Sequence, residues 1–578
     1  MTQPIEALNV SLFEQIIGKY EGRKRDALLP MLHDAQSIYG WLPREVLEAV
    51  ARTLNVPLAE VHGVVEFYTM FYNHPTAKTV VRVCRDPACY LAGADVIGKV
   101  VEEQLDLQDG ETAADGSITF EYVPCLGMCE HAPNALYGST PAGDLTADTV
   151  DDFLNGRYPE PGAKIYGEPL IKLCRAKEIN PLSLTDYEEH EGFMALRNAL
   201  DSTPEEIIAL LKASKILGRG GAMFPTGLKW EFTRGAPGLP AEKHIIANAD
   251  ESEPGTFKDR GLMEEDPFSL VESMLIAGYT VGAENGWIFV RGEYPRCYAR
   301  LDNAIKKARQ AGYLGRDILG RKGFNFDIQL RLGAGAYICG EETALFEAIE
   351  GKRGFPRIKP PFPTTNGLFN QPTAINNVET LAAAMAVVKI GVDEWLRWGT
   401  EQSPGTKWFC LSGNISQPGL YEVPFGLTIR EMVEMAGGVP GNRPIQAILL
   451  GGAAGVFLGP DKLDMPLTYE DARKNGVPLG SGVIQIFDET VDLREVLYRL
   501  SHFFAHESCG KCYPCQIGTQ RQMEILDRVA HNGGPRPSDY DVLRDLGFTM
   551  TQTSLCGLGQ TAASAVTSAL ELWPDLLS

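Results

Sequence analysis

Histidine is scarce, with nine in 578 residues, so metal ligation falls to the 12 cysteines. Positive charge is also short. Lys and Arg number 53 against 75 Asp and Glu, a net charge of −22. So acidic a chain lacks the cationic surface that sequence-independent nucleic-acid binding uses to release counterions. Long apolar runs are missing too. The uncharged stretch Leu546 to Leu570 holds ten Ser, Thr or Gln residues, whereas a membrane span takes about 20 mostly apolar residues. The segment Pro444 to Pro460 is too short and too rich in glycine. Met1-Thr2-Gln3-Pro4-Ile5-Glu6 has no basic flank and no apolar core, which argues against a secretory signal. These absences point to a soluble, cytoplasmic chain with no membrane segment. In a reducing compartment, clustered cysteines imply metal or redox chemistry rather than disulfides. The length corresponds to three to five domains at about 100–200 residues each.

Eight of the cysteines fall into two sets of four. The C-terminal set is Cys509, Cys512 and Cys515 in Ser-Cys-Gly-Lys-Cys-Tyr-Pro-Cys, with Cys556 following in Leu-Cys-Gly-Leu-Gly. A C-x2-C-x2-C run places three thiolates on one loop and takes a fourth from a distant segment, the way a cubane is held. Structural zinc more often pairs C-x2-C with a second pair, so this spacing favours iron–sulfur. The N-terminal set is Cys84 and Cys89, then Cys125 and Cys129. Each pair follows a β-type run, Thr79 to Val83 and Ser117 to Val123. Two pairs at strand ends can clamp the two irons of a [2Fe-2S] centre, with zinc as the alternative. The remaining cysteines, Cys174, Cys297, Cys339 and Cys410, read most simply as small core residues, with only Cys339 inside a dense motif.

Along the chain, residues 1–75 read as helical, with a helix entering at Pro43 whose Val46, Leu47, Val50 and Leu54 share one face. The apolar, aromatic stretch Leu58 to Phe71 reads as bundle core. Residues 76–156 alternate strands with helices such as Ala94 to Leu105 and read as a small α/β domain. Residues 157–189 carry several prolines and read as a linker or strap. An α/β region follows at 190–395, then a small α+β domain at 400–490, then helices over 491–578. The α+β domain is expected to hold four short strands and one helix, Thr428 to Ala436.

The 60 glycines are clustered, and three motifs stand out between residues 218 and 380. Gly218-Arg-Gly-Gly-Ala-Met-Phe-Pro-Thr-Gly-Leu-Lys-Trp230 offers backbone N–H groups that can approach a phosphate or a flat ring, with charge from Arg219 and Lys229. It is not G-x-G-x-x-G, so it is no fingerprint of the usual dinucleotide fold, and alone it could be an ordinary turn. Asn248-Ala-Asp-Glu-Ser-Glu-Pro-Gly255 follows the apolar run His244 to Ala247 and continues into Thr-Phe-Lys-Asp-Arg260. Polar groups this dense at a strand end suit a binding crevice, or a solvated acidic loop. Gly333-Ala-Gly-Ala-Tyr-Ile-Cys-Gly-Glu-Glu-Thr343 is joined by Pro356 to Pro363 and by Ile375-Asn-Asn-Val-Glu-Thr380. Its adjacent carboxylates can accept from ribose hydroxyls or act as helix N-terminal charges.

With these motifs in this order, the centre of the chain resembles the FMN- and NADH-binding flavoprotein subunit of respiratory complex I. The N-terminal region is similar to that family's thioredoxin-like [2Fe-2S] subunit, here fused into one chain. The resemblance implies a multidomain α/β protein: an N-terminal helical bundle, a thioredoxin-like domain, a Rossmann-like FMN and NAD domain, a ubiquitin-like β-grasp domain and a C-terminal bundle carrying [4Fe-4S]. It implies that Gly218, Arg219, Gly220, Lys229, Asn248, Asp250, Glu251, Ser252, Tyr337, Gly340, Glu341, Asn376, Asn377 and Thr380 surround FMN. Phe224, Phe232 and Phe362 would stack on adenine, and Glu253, Glu342 and Lys359 would contact the rest of NAD(H). Cys84, Cys89, Cys125 and Cys129 would hold [2Fe-2S], and Cys509, Cys512, Cys515 and Cys556 [4Fe-4S]. Met223 stands where the family usually has Gly, and its side chain narrows the loop.

The implied activity is that of a diaphorase. Nicotinamide transfers hydride and iron–sulfur centres take single electrons, so FMN sits between them. No side-chain acid or base is required. Carboxylates at Glu253 and Glu342 would repel a 2′-phosphate, which favours NAD over NADP. Fused chains of this kind resemble parts of two soluble assemblies, NAD-dependent formate dehydrogenase with a molybdenum or tungsten pterin subunit, and NAD-reducing nickel–iron hydrogenase. In fused hydrogenase subunits the N-terminal cluster cysteines are often degenerate. All four stand here, and the chain ends soon after the helical bundle. The expectation is therefore the β subunit of a formate dehydrogenase. The alternatives are a hydrogenase diaphorase, a fused complex I module and, from a different class, a zinc-stapled nucleotide-binding scaffold.

Overall fold

The computed structural model describes residues 10–577. The stretch Met1 to Glu6, read above for targeting, lies outside them. Among the described residues no helix is long and apolar enough to cross a membrane.

The N-terminal helices span Val10–Tyr20, Leu28–Tyr39, Arg44–Leu54 and Leu58–Val65. Pro43 sets the entry of the third, Asn55 ends it in the left-handed region at φ 52°, and Val46, Leu47, Val50 and Leu54 are buried. These helices do not close on themselves. Their core runs on into Ile246 and Trp287 of the central domain and Leu497 of the C-terminal helices. The aromatic stretch docks by its backbone as well, with the Thr69 and Met70 amides donating to the Gly335 and Ala334 carbonyls at 3.2 and 2.9 Å.

The next domain is a four-stranded sheet of β1 (Thr79–Cys84), β2 (Ile118–Val123), β3 (Ala135–Tyr137) and β4 (Thr140–Ala142) in the order β2-β1-β3-β4. The helix Ala94–Leu105 packs Ile97 and Val101 against it. Parallel pairing sets Cys84 opposite Val123. That register carries the Cys125 loop to the end of β1. The strap over 157–189 contributes β5 (Ile165–Tyr166) to a sheet further along the chain.

The central domain holds β6 (His244–Ala249), β7 (Asn285–Val290), β8 (Asp327–Leu332) and β9 (Thr373–Asn377), all parallel, in the order β8-β7-β6-β9. Helices cover it, so β6 and β7 read as near-continuous apolar runs. In the helix Pro267–Val281 only Tyr279 escapes burial. Strand order runs one way from β6 to β8 and reverses at β9. Open parallel sheets bind ligands at such a switch point, outside the carboxyl ends of the strands. The loop after β6 and the turn after β9 therefore flank a crevice.

A six-stranded mixed sheet follows, built from β10 (Thr406–Gly413), β11 (Gly419–Pro424), β12 (Ile445–Leu450), β13 (Val456–Leu458) and β14 (Val483–Asp488), with β5 on its edge. The helix Ile429–Met435, capped by Thr428 and Glu431 in a reciprocal box, lies on it. Two of these strands, β5 and β13, were not expected. Last come helices Leu493–Glu507, Tyr513–Asp527, Asp539–Thr553 and Ser564–Leu572, the first capped by the Asp492 side chain.

Candidate active site and metal centres

The loop Gly218 to Phe224 closes on itself by the Gly218 amide donating to the Phe224 carbonyl at 2.9 Å. At Gly220 a Cβ would stand 3.1 Å from the Asn377 side chain, so backbone and side chain meet closely there. Met223 sits at φ 52°, in the left-handed region that favours glycine. An L side chain there costs about 1–2 kcal/mol, a physical reason why this position prefers Gly. The Met223 side chain is exposed, so it projects from the loop rather than filling it.

Arg219 is buried at 1 % exposure. Its amide donates to Thr380 Oγ1 at 2.9 Å, its Nη1 to the Tyr469 hydroxyl at 3.3 Å, and the guanidinium lies 4.7 Å from the Phe425 ring centre. Its Nε has no partner. Lys229 donates from Nζ to the Ile375 carbonyl at 2.9 Å, and burial lowers its pKa. Trp230 holds Asn376 Oδ1 at 2.9 Å. Asn377 caps the helix Val378–Ile390 and is gripped by Lys258 Nζ at 2.9 Å and by Asp259 Oδ2 at 2.6 Å.

The Asn248 to Gly255 loop is packed, not solvated. Asn248 donates to the Gly340 carbonyl at 2.8 Å, and Ser252 donates to Asp250 Oδ1 at 2.8 Å. Asp250 Oδ2 is buried with no partner, and burial pushes this carboxyl up to about 8. Arg219 Nε and Asp250 Oδ2 test the fit of FMN to this crevice. Both are buried, both lack a partner, and a flavin nucleotide offers acceptors for the first and donors for the second. Glu341 takes the helix N-terminal role, accepting from the Thr343 and Ala344 amides at 2.8 and 2.9 Å. Lys359 bridges Glu341 and Glu342 at 2.9 and 2.6 Å. Phe224, Phe232 and Phe362 are 43, 51 and 58 % exposed, flat surfaces left open to a ligand.

Two expected contacts are placed differently. The Glu251 carboxylate accepts from the Asp259 and Arg260 amides at 2.8 and 2.9 Å and from Tyr294 at 3.2 Å. The Glu253 carboxylate accepts from Tyr337 at 2.6 Å and from the Ala454 amide at 2.7 Å, joining the domain of the six-stranded sheet. Glu251 is held within the central domain, and Glu253 at its junction with the six-stranded-sheet domain. Residues that motif reading missed at the crevice are Lys258, Asp259, Phe425 and Tyr469. The first two trail a recognised motif, but the last two come from a different sheet.

The N-terminal thiols converge. Cys84 ends β1, Cys89 lies on the helix Pro87–Leu91, and all four cysteines are buried. Cys125 and Cys129 Sγ atoms are 3.3 Å apart, and the Gly127 amide donates to Cys125 Sγ at 3.3 Å. Neighbouring Cys125 and Cys89 push the Cys84 thiol up, while contact with Cys129 and Cys84 pulls Cys125 down. His131 is engaged by Asp144 and the Gly162 carbonyl at 2.7 Å each, and Glu130 pairs with Arg260. That leaves an all-sulfur donor set. In the C-terminal bundle Cys509, Cys512, Cys515 and Cys556 line one small cleft with Ile338 and Lys511. Burial drives the Cys515 thiol up to about 12 and Cys556 up to about 11. Of the lone cysteines, Cys297, Cys339 and Cys410 are buried, but Cys174 is exposed and is not a core residue.

Comparison with known proteins agrees with this layout. Residues 13–157 match the thioredoxin-like [2Fe-2S] ferredoxin family, 211–386 the Nuo51 FMN-binding domain, 409–452 the SLBB domain, and 495–578 the NADH-ubiquinone oxidoreductase-F iron-sulfur binding region. The F 2 subunit of the NADH-quinone oxidoreductase of Rhizobium meliloti is 44 % identical over 391 residues, 67 % of this chain and 92 % of that protein. The alpha subunit of the NAD-reducing hydrogenase HoxS of Cupriavidus necator is 34 % identical over 563 residues, 96 % of this chain and 91 % of that protein. The crystal structure of a NAD+-reducing [NiFe]-hydrogenase in the air-oxidized state aligns with a TM-score of 0.84 at 30 % identity, covering 96 % of this chain and 94 % of the other. The chain belongs to the complex I family of NADH dehydrogenase (diaphorase) subunits, with an FMN-binding domain, a [4Fe-4S] region and a fused thioredoxin-like [2Fe-2S] domain.

Proposed function

We propose that this chain exchanges hydride between NAD(H) and FMN in the crevice between β6 and β9, and passes single electrons between FMN and its two iron–sulfur centres. The observation that carries this is a buried, partnerless atom on each of two loops, Oδ2 of Asp250 just after β6 and Nε of Arg219, whose amide meets Thr380 just after β9. FMN, when bound, supplies the group that takes hydride and releases electrons one at a time. The glycine loop brings backbone N–H groups to the nucleotide, while Arg219 and Lys229 offset its negative charge inside a chain of net −22. Phe224, Phe232 and Phe362 offer stacking faces for the adenine. The Lys359 bridge to Glu341 and Glu342 orders the rim of the crevice. Glu342, paired with Lys359, remains the candidate carboxylate for the ribose of NAD(H).

In this reading Cys84, Cys89, Cys125 and Cys129 ligate [2Fe-2S], and Cys509, Cys512, Cys515 and Cys556 ligate [4Fe-4S]. Electrons cross to a partner at the C-terminal centre. Tyr513 and Ile517, 81 and 57 % exposed, follow Cys512 on its helix, and Phe548 on the neighbouring helix is 70 % exposed. We read these exposed side chains as the docking face for that partner.

The finer proposal is that the partner is a formate-oxidising molybdenum or tungsten pterin subunit and that the cytoplasmic assembly reduces NAD+. Its support is the intact, convergent N-terminal cysteine set. A second reading, a hydrogenase partner, is favoured by the full-length likeness to NAD-reducing hydrogenases. Metal analysis of the chain purified with its native partners decides. Molybdenum or tungsten with iron supports formate, nickel supports hydrogen, and zinc in place of iron overturns the redox reading.

A further inference from the structure

We infer that Arg291 is a positioning residue for the N-terminal iron–sulfur centre and raises its reduction potential. The inference rests on reading Cys84, Cys89, Cys125 and Cys129 as its ligands. Arg291 follows β7, lies outside every motif in the sequence, and is 3 % exposed. Its fork reaches two loops at once. Nη2 donates to the Cys125 carbonyl at 2.6 Å, and Nη1 donates to the Glu251 carbonyl at 2.7 Å. A ligand-bearing loop of one domain and the flavin-side loop of another are thus tied through a single guanidinium.

Neighbours reinforce the tie. Arg260 Nε donates to the Gly127 carbonyl at 2.9 Å, and the Tyr294 hydroxyl donates to the same oxygen at 3.3 Å. The Arg260 cation is closely balanced by Glu130 and Glu264, both at most 4 % exposed in their side chains. Arg291 is balanced differently. Its counter-ion Glu293, 3.0 Å away, is 17 % exposed, against 3 % for Arg291, and both line a cleft with Cys125, Ser252 and Glu507. Solvent reaching that cleft screens the carboxylate more than the buried fork. Opposite the Asp86 carboxylate, which accepts from the Cys125 amide at 2.9 Å, the Arg291 fork supplies a positive field at the Cys125 carbonyl. One-electron reduction of an iron–sulfur centre adds one negative charge, so that field favours the reduced form, and net charge and hydrogen bonding are the levers that set such potentials.

The test is a redox titration of the full-length chain in its complex, followed by electron paramagnetic resonance, with the [4Fe-4S] signal as internal reference. In R291Q the reduced-to-oxidised ratio of the [2Fe-2S] centre at the wild-type midpoint should fall at least tenfold, equal to 59 mV for a one-electron couple. R291K, which keeps the charge, should recover most of the shift. E293Q, which keeps the shape and removes the counter-charge, should move the midpoint upward. The [4Fe-4S] midpoint should stay put in all three. Unmoved [2Fe-2S] midpoints in R291Q and E293Q with full iron content would overturn the inference. If R291Q fails to load iron, E293Q decides alone by the same criterion. A wild-type chain with no [2Fe-2S] signal would instead sink the ligand reading.

Discussion

Replacing Arg219 by Met tests the crevice most directly. The guanidinium is buried, its Nη1 meets Tyr469, its Cζ lies over the Phe425 ring, and its Nε is partnerless. A hydrogen bond to a charged group is worth about 1.5–3 kcal/mol. At about 1.4 kcal/mol per tenfold, loss of one such contact to the flavin nucleotide weakens FMN binding about 10- to 150-fold. In the flavin-free protein the balance differs. Losing the cation–π contact costs about 0.5–2 kcal/mol, but removing a desolvated, incompletely partnered cation offsets it. The Tm of the flavin-free chain should therefore move little, while the increase in Tm that FMN confers should shrink. Flavin fluorescence on titrating the flavin-free chain with FMN gives the affinity, and thermal unfolding with and without FMN gives the second quantity. The weakening should persist at high salt, since a buried charge is poorly screened. Wild-type affinity in R219M would refute the argument. An equal loss of Tm with and without FMN would show that the residue only holds the loop.

Three further predictions follow from the same geometry. F362A removes an exposed ring and should leave Tm unchanged while raising the KM for NADH about 5- to 150-fold at near-constant kcat, because stacking on a base is worth about 1–3 kcal/mol. An unchanged KM in steady-state assays would take Phe362 out of the nucleotide site. G127A should lower the [2Fe-2S] content measured by iron and absorbance, since Gly127 sits at φ 67° and a Cβ there would stand 2.1 Å from the Tyr294 hydroxyl. Asp250, raised by burial from an ordinary 3.8 to about 8, prefers the neutral form in the folded, flavin-free chain. Its contribution to stability is therefore complete below about pH 4 and is lost as the pH rises towards 8. D250N should abolish that part of the loss, as read by denaturant unfolding of flavin-free protein at pH 5 and pH 8.

Cysteine spacing pointed to both iron–sulfur regions, because tight runs and pairs of cysteines are local in sequence. The strand before Asn248 was legible for a similar reason, since an apolar run ending in dense polar residues is what a parallel strand feeding a crevice looks like. Strands β5 and β13 were not, because segments of two and three residues carry no periodicity. Nor could spacing tell that Glu251 is held inside its own domain while Glu253 reaches across to the next. Their partners, Tyr294 and Ala454, lie 43 and 201 residues further on. Tyr469 reaches Arg219 across 250 residues. Contacts made by folding distant segments together leave no local pattern. Met223 is the reverse case. Its departure from a glycine position was visible in the sequence, and the backbone at φ 52° supplies the cost.

The segment Asp250 to Arg260 ties these sites into one body, and its residues divide the work by position. Asp250 faces the crevice with a buried, unpaired oxygen. Glu251 is fixed by the Asp259 and Arg260 amides, and its carbonyl meets the arginine that holds the Cys125 loop. Glu253 is bound by Tyr337, whose own amide donates to Glu507 at 2.8 Å, two residues before Cys509. Lys258 grips Asn377 on the far side of the crevice. Each loop expected to hold a redox group is thus one or two hydrogen bonds from this segment. Such bonds between buried groups are costly to break, so the separations between the redox groups are set by the folded chain. A chain whose chemistry is electron transfer needs fixed separations more than it needs an acid or a base, and here the buried polar groups serve that requirement.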